Sequence, residues 1–197
     1  MKNNVLVKEA MKYNPVVITP MISVLEAAQI MKKNKINDVI VVENKQPVGI
    51  LTESDILKKV VAENKKPSDV LVDDIMSCPV IVVDPYVPLE EALKTMGKCN
   101  IRRLPVIENN ELVGVISHKD ISRISPILHE ISREWVDINE RDETHLKTQV
   151  FSGKCEDCGI LSTCLKTTDG RLLCEDCIDA LKYDENASEY EAKRGEE

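Results

Sequence analysis

Laid against itself at a shift of 65 residues, the first two thirds of the chain repeats: Val7 falls on Val72, Met11 on Met76, Pro20 on Pro85, Ala27 on Ala92 and Met31 on Met96. The match continues through Ile36 and Ile101, Val41 and Val106, Gly49 and Gly114, Asp55 and Asp120, and Ile56 and Ile121, with a one-residue shuffle around Pro15 and Pro79. Such a chain reads as two copies of one supersecondary unit.

Within each copy the hydrophobic period changes in a fixed order. A short β-rich run (16–19, then 80–84) ends at a proline. Ser23 then reads as the N-cap of a helix carrying Leu25, Ala28, Met31 and Lys32 at helical spacing, and Leu89, Ala92, Leu93 and Met96 do the same in the second copy. Two apolar strands follow, at 39–43 and 48–51 and again at 104–108 and 112–116, around the polar turns 44–47 and 109–110. A second helix starts near Glu53 or His118, with Thr52 or Ser117 as its cap and acids in the first turn. Each copy is therefore β-α-β-β-α, and the fold class expected is α+β.

Both copies end on the same phrase, Gly49-Ile-Leu-Thr52-Glu-Ser-Asp55 and Gly114-Val-Ile-Ser117-His-Lys-Asp120. With NPVVITPMISVLEAAQIMKKNKINDVIVVENKQPVGILTESDI and CPVIVVDPYVPLEEALKTMGKCNIRRLPVIENNELVGVISHKDI, the region from about residue 5 to 125 resembles the CBS domain family, in which two repeats pair into one disc, a Bateman module. The boundaries expected are residues 1–66 for the first repeat and 67–125 for the second.

A hydroxyl and a carboxylate three residues apart at a helix start suit phosphate and ribose, the two polar parts of an adenosine phosphate. The resemblance implies that Asp55 and Asp120 hold ribose, that Thr52 and Ser117 meet phosphate, and that Val17 and Val82 lie near the base. The ligand implied is AMP, ADP, ATP or S-adenosylmethionine. The same Ser/Thr-x-x-Asp spacing is also an ordinary capping box that needs no ligand. The copies are unequal: Arg102, Arg103 and Lys119 stand where the first copy has Asn37, Asp38 and Ser54, which suits the second to phosphate unless the arginines form only a solvated basic patch. The first copy departs from the family at Ile40, where the second keeps Pro105.

Beyond the repeats, Ile121, Ile124, Leu128, Ile131 and Trp135 continue an amphipathic helix that Pro126 should bend, and 126–150 as a whole reads as connector and linker. Residues 151–183 then carry Cys155-Glu-Asp-Cys158 and, after fifteen intervening residues, Cys174-Glu-Asp-Cys177. Two Cys-x-x-Cys knuckles at that separation match a structural zinc site, and a module this short needs its metal to fold. Gly159 after the first knuckle, a turn at Thr168-Asp169-Gly170 and a helix after the second knuckle resemble a treble-clef or zinc-ribbon finger. A rubredoxin-like iron site is the rival, since iron also accepts four thiolates, although Cys-Pro-x-Cys-Gly is missing from the second knuckle. Four thiolates leave no open position for metal catalysis. Cys164 is a spare thiol, His129 and His145 lack ligand spacing, and His118 reads as a pocket-rim or surface residue. Residues 184–197 read as an acidic tail.

Charge bears on the class of partner. Residues 1–125 carry 17 basic and 16 acidic side chains, the remainder 9 basic and 18 acidic. An acidic metal module is badly suited to gripping phosphate backbones, so a small molecule and a protein partner fit better than nucleic acid. With one Phe and one Trp, stacking platforms for bases are scarce. No apolar run approaches the ~20 residues of a membrane span, and the N-terminal stretch lacks the apolar core of a signal peptide. The expectation is a cytoplasmic, non-catalytic sensor that forms homodimers, with a nucleic-acid regulator and an iron electron carrier as the alternatives.

Overall fold

In the computed structural model of the protein, which describes residues 5–124 and 150–181, the duplication is visible as two interlocked halves. The first half holds strand β2 (Val17–Ile18), helix α2 (Val24–Asn34), strands β3 (Asp38–Glu43) and β4 (Gln46–Thr52), and helix α3 (Glu53–Ile56) running on through a π turn to Val61. The second holds β5 (Val80–Ile81), α4 (Leu89–Lys98), β6 (Arg103–Glu108), β7 (Glu111–Ser117) and α5 (His118–Ile124). In the first, β2 pairs parallel with β3, which pairs antiparallel with β4. In the second, Val83 bridges parallel to Val106, and β6 pairs antiparallel with β7.

Local chemistry accounts for the hairpins. Asn44 and Lys45 have φ 51° and 66°, and Asn109 and Asn110 have φ 50° and 64°. Two consecutive positive φ values are the signature of the type I′ turn whose twist matches its strands, and asparagine tolerates it. A bulge follows Val41 in one hairpin and its twin Val106 in the other. Helix α2 starts on a complete capping box, Ser23 accepting from the Glu26 N–H at 3.2 Å while the Glu26 carboxylate takes the Ser23 N–H at 2.9 Å. The face α2 buries is Val24, Ala27 and Met31: Met31 is buried as expected, but Val24 and Ala27 take the places expected of Leu25, which is 43% exposed, and Ala28, and Lys32 is exposed. In α4 the expected Leu89, Ala92, Leu93 and Met96 are all buried.

The segments leading into each repeat are exchanged. The short helix α1 (Val7–Ala10) and strand β1 (Lys12–Tyr13) precede the first repeat, but Val7 and Met11 pack into the core of the second, and β1 pairs with β7. The corresponding residues Val72, Ile75 and Met76 pack into the core of the first, where Ser77 bridges Ile50. The main-chain bonds repeat at the same shift: Val7 N–H to Val87 O and Val72 N–H to Ile22 O, Lys8 N–H to Pro85 O and Asp73 N–H to Pro20 O. The packing units therefore cross the expected 66/67 boundary, because each lead segment supplies the apolar cover the other copy lacks.

This exchange explains the glycine of the shared ending. A Cβ on Gly49 would lie 2.9 Å from Met76 Cγ, and one on Gly114 would lie 2.8 Å from Met11 Sδ and 2.9 Å from the Lys12 carbonyl oxygen. Each hairpin needs a glycine because the other copy's methionine crosses it closely.

The C-terminal module forms β8 (Phe151–Lys154), β9 (Leu161–Thr168) and β10 (Arg171–Leu173), with a tight turn at Asp169–Gly170, followed by helix α6 over 175–181. Its sheet is not separate, since β8 pairs antiparallel with β5 in the order β10-β9-β8-β5. The expected connector beyond Ile124, with Leu128, Ile131 and Trp135, the linker as far as residue 149, His129, His145 and the tail from 184 lie outside the described residues. No helix among the described residues is long and apolar enough to cross a membrane.

Candidate functional site

Three places collect chemistry: the two hydroxyl–carboxylate pairs at the ends of β4 and β7, and a cluster of thiols at the tip of the C-terminal module.

At the end of β4, the Thr52 hydroxyl donates to Asp55 Oδ2 at 2.5 Å, the same oxygen takes the Thr52 N–H at 3.1 Å, and the Thr52 oxygen accepts from the Asp55 N–H at 3.1 Å. Lys59, one turn on, reaches Asp55 Oδ1 at 3.1 Å and the Ile75 carbonyl at 2.6 Å. At the end of β7 the pattern recurs: the Ser117 hydroxyl donates to Asp120 Oδ2, which also takes the Ser117 N–H at 3.1 Å. Here the ammonium on Oδ1 comes from Lys12, 3.2 Å away, in the segment leading into the other repeat. Both pairs are therefore the capping boxes that their spacing allows. Among the described residues, each also has its second carboxylate oxygen on the ammonium of a partly exposed lysine.

Burial works against the charge of Asp120, but the Ser117 hydroxyl and the Lys12 ammonium outweigh it and hold the carboxyl below the usual aspartate range. Asp55 is held low in the same way, its burial overcome by Thr52 and Lys59. Both remain ionised acceptors at neutral pH, the state a ribose diol requires.

The other expected ligand residues fall around these pairs unequally. Arg103 is ion-paired with Asp38, its own twin at the 65-residue shift, so the two copies meet at complementary charges. Burial raises the Asp38 carboxyl above its ordinary value, against the pull of Arg103. Arg102 and Lys119 are exposed on the surface. Val17 is 42% exposed beside the Lys12 segment, whereas its twin Val82 is 9% exposed and donates its N–H to the Val150 carbonyl at 3.2 Å. Sequence reasoning missed Lys12 and Asp38, since nothing in a linear pattern shows that the lead segment crosses to the opposite copy.

In the C-terminal module, Cys155, Cys158, Cys174 and Cys177 bring four Sγ atoms within 4.8 Å of one another. Cys158 and Cys174 are 3.7 Å apart, which fits the edge of about 3.8 Å in a tetrahedron of ~2.3 Å metal–sulfur bonds. The Cys155 sulfur accepts the Cys174 N–H at 3.3 Å. Burial resists a charge on Cys155, yet N–H groups of Cys158, Cys174 and Asp157 bring its thiol down to about 6. Hydrogen bonds to the Cys174 and Cys158 thiols push Cys177 up. Cys155 is the sulfur that ionises readily, while Cys174 and Cys177 are held as thiols, and four sulfurs so placed are a soft tetrahedral donor set for a dication. Phe151, Leu165 and Leu173 form the apolar base beneath the cluster.

The module docks on the turns of both repeats. The Ser152 hydroxyl, fully buried, donates to the Pro47 carbonyl, Thr163 donates to the Asn110 side chain at 2.8 Å, and Lys154 pairs with Glu43 at 3.7 Å. Between it and α4 opens a cleft of about 510 Å³ lined by Val87, Lys94, Thr95, Lys98, Asn109 and half-buried Cys164 among others. None of the four hydroxyl and carboxylate residues reaches this cleft.

The family model of the CBS domain matches residues 7–62 and 72–126. An uncharacterized protein of Methanocaldococcus jannaschii is 41% identical over 186 residues, covering 91% of this chain and 95% of its own length, and so spans both repeats and the cysteine module. Among solved structures, a hexameric CBS-CP12 protein from bloom-forming cyanobacteria is 36% identical, with a TM-score of 0.56 over 60% of this chain and 67% of that one. The CBS domain pair of protein MJ0100, in complex with 5′-methylthioadenosine and S-adenosyl-L-methionine, is 34% identical, with a TM-score of 0.54 over 61% of this chain and 94% of that one.

Proposed function

The chain belongs to the CBS domain family, and from that membership we propose that it is a non-catalytic sensor that binds an adenosine-containing ligand, AMP, ADP, ATP or S-adenosylmethionine, between its repeats. The observation that carries the reading is the doubled hydroxyl–carboxylate pair, in which Asp55 and Asp120 each keep one oxygen for the helix cap and offer the other to a replaceable ammonium. A ribose diol displacing Lys12 from Asp120 would leave that ammonium beside the ligand, placed to meet a phosphate or carboxylate. The adenosine ligands held by the CBS pair of MJ0100 support the same class.

The cysteine cluster holds zinc as a structural ion in this reading, with iron as the alternative the donor set also admits. Four thiolates complete the tetrahedron, which supports a role in folding and protein contact over catalysis. A homodimer is the oligomer proposed: Leu57, Val61 and Ile124 leave apolar side chains exposed on the second helices, and the CBS-CP12 protein assembles as a hexamer.

The test is isothermal titration of metal-assayed protein with AMP, ATP and S-adenosylmethionine, alongside Asp120→Ala. Saturable binding weakened about tenfold or more in the variant is expected, on the scale of losing a charge-assisted hydrogen bond worth about 1.5–3 kcal/mol. Heat changes no larger than dilution for every ligand would remove the sensor reading, and a red preparation containing iron would replace zinc.

A further inference from the structure

The two halves are related by a fixed shift, and Val17 and its twin Val82 are the same residue, so a difference in their cover points to what each copy is packed against. The segment holding Val17 lies beside Asp120, to which it is tied by Lys12. The segment holding Val82 lies beside Asp55, tied by the Ser77–Ile50 bridge and by Lys59 spanning Asp55 and the Ile75 carbonyl. The surroundings of the two carboxylates should be alike, but they are not.

On the Asp55 side, β8 lies along β5, pairing Val80 with Ser152 and Ile81 with Phe151, and the Val150 carbonyl takes the Val82 N–H. Ser152 fastens β8 to Pro47 in β4, and Gly153 sits so close to Pro79 that a Cβ there would meet Pro79 Cβ at 3.1 Å. On the Asp120 side, the equivalent run Pro15–Val16 has no strand across it among the described residues, and Val17 stays 42% exposed against 9% for Val82.

We infer that the cysteine module is a built-in occupant of one of the two clefts: β8 closes the end of the Asp55 cleft where a base would lie, and the metal-loaded chain binds one adenosine ligand, at Asp120. The inference rests on the adenosine reading above and adds to it which cleft is open and what shuts the other. The metal holds the hairpin rigid and so keeps the second cleft shut. Release of the hairpin, by metal loss or by a partner that draws the module away, unmasks the second site.

Full-length, metal-loaded protein is titrated with 5′-methylthioadenosine and AMP, as wild type, Asp120→Ala, Asp55→Ala and Gly153→Val, the last chosen to lift β8 off Pro79 without touching a thiolate. One equivalent per chain is expected, weakened about tenfold or more in Asp120→Ala and unchanged in Asp55→Ala, with a second equivalent in Gly153→Val and after removal of the metal with a chelator. Hydrogen exchange gives a readout that needs no ligand: the Val80 and Val82 amides are protected in loaded protein and exchange at least tenfold faster after chelation. Two equivalents in the loaded wild type, or protection unchanged by chelation while the thiols become reactive, overturns the inference and leaves the sensor reading intact. No binding in any form removes the sensor reading and the single-site count with it, a result distinct from two equivalents.

Discussion

Asp38 and Arg103 occupy one position of the ancestral unit and meet across the line where its two copies join. Two identical charged residues there would repel or leave a buried charge unmatched, so the opposite signs record a divergence that only the duplicated chain allows. Asp38 is 16% and Arg103 32% exposed, between the exposed pairs worth ~0–1 kcal/mol and the buried ones whose disruption costs ~3–5 kcal/mol. Arg103→Met should therefore cost about 2 kcal/mol at neutral pH, and the exchanged pair Asp38→Arg with Arg103→Asp should recover much of it. Without Arg103 the folded-state pKa of Asp38 rises further above its unfolded value. A raised acid favours the folded state as it takes up its proton, so the deficit shrinks as pH falls through that pKa. Urea unfolding of the three proteins at pH 7 and near pH 4 checks this, and a deficit that grows on acidification counts against the pair.

At the scale of the elements, the glycine of each Gly-x-x-Ser/Thr-x-x-Asp ending serves the packing of a methionine from the opposite copy. Gly114→Ala drives its methyl against Met11 and the fixed Lys12 carbonyl and should cost about 1–3 kcal/mol, the usual range for overpacking. Met11→Ala in the same chain relieves the side-chain clash but not the backbone one, so the double variant should be less destabilised than the two losses added together. Thermal unfolding of the four-member cycle measures the coupling, and strict additivity would sink it. The hairpins and helices themselves were legible, since asparagine turns, Ser23, Thr52 and Ser117 act within a few residues of chain. In α2 the first turns of the buried stripe lie one position before the expected ones, at Val24 and Ala27, while Met31 is buried as expected. Leu25 and Val24 both fit a helical period, and the element that covers the helix chooses between them.

Across the whole molecule, the cysteine module is continuous with the repeats: Phe151 is buried beside Ile81 and beneath the thiols. Phe151→Ala should cost about 3–4 kcal/mol and should weaken metal binding as well, because the metal site and its apolar base form together. Competition against a chromogenic zinc chelator reads the second effect, and unchanged zinc affinity in a destabilised variant would separate module from base. The duplication, the β-α-β-β-α order, the paired hydroxyl–carboxylate endings and the four-thiol spacing were determined by the sequence alone, because each depends on residues at fixed short separations or on direct self-similarity. Only the tertiary structure decided that the lead segments cross between copies, that Lys12 and not a neighbour on α5 meets Asp120, and that β8 lies on β5 while, among the described residues, no strand lies on its twin. Those choices join residues 27 to 108 positions apart through backbone pairing, ion pairing and apolar burial, interactions that follow three-dimensional fit and leave no periodic trace along the chain.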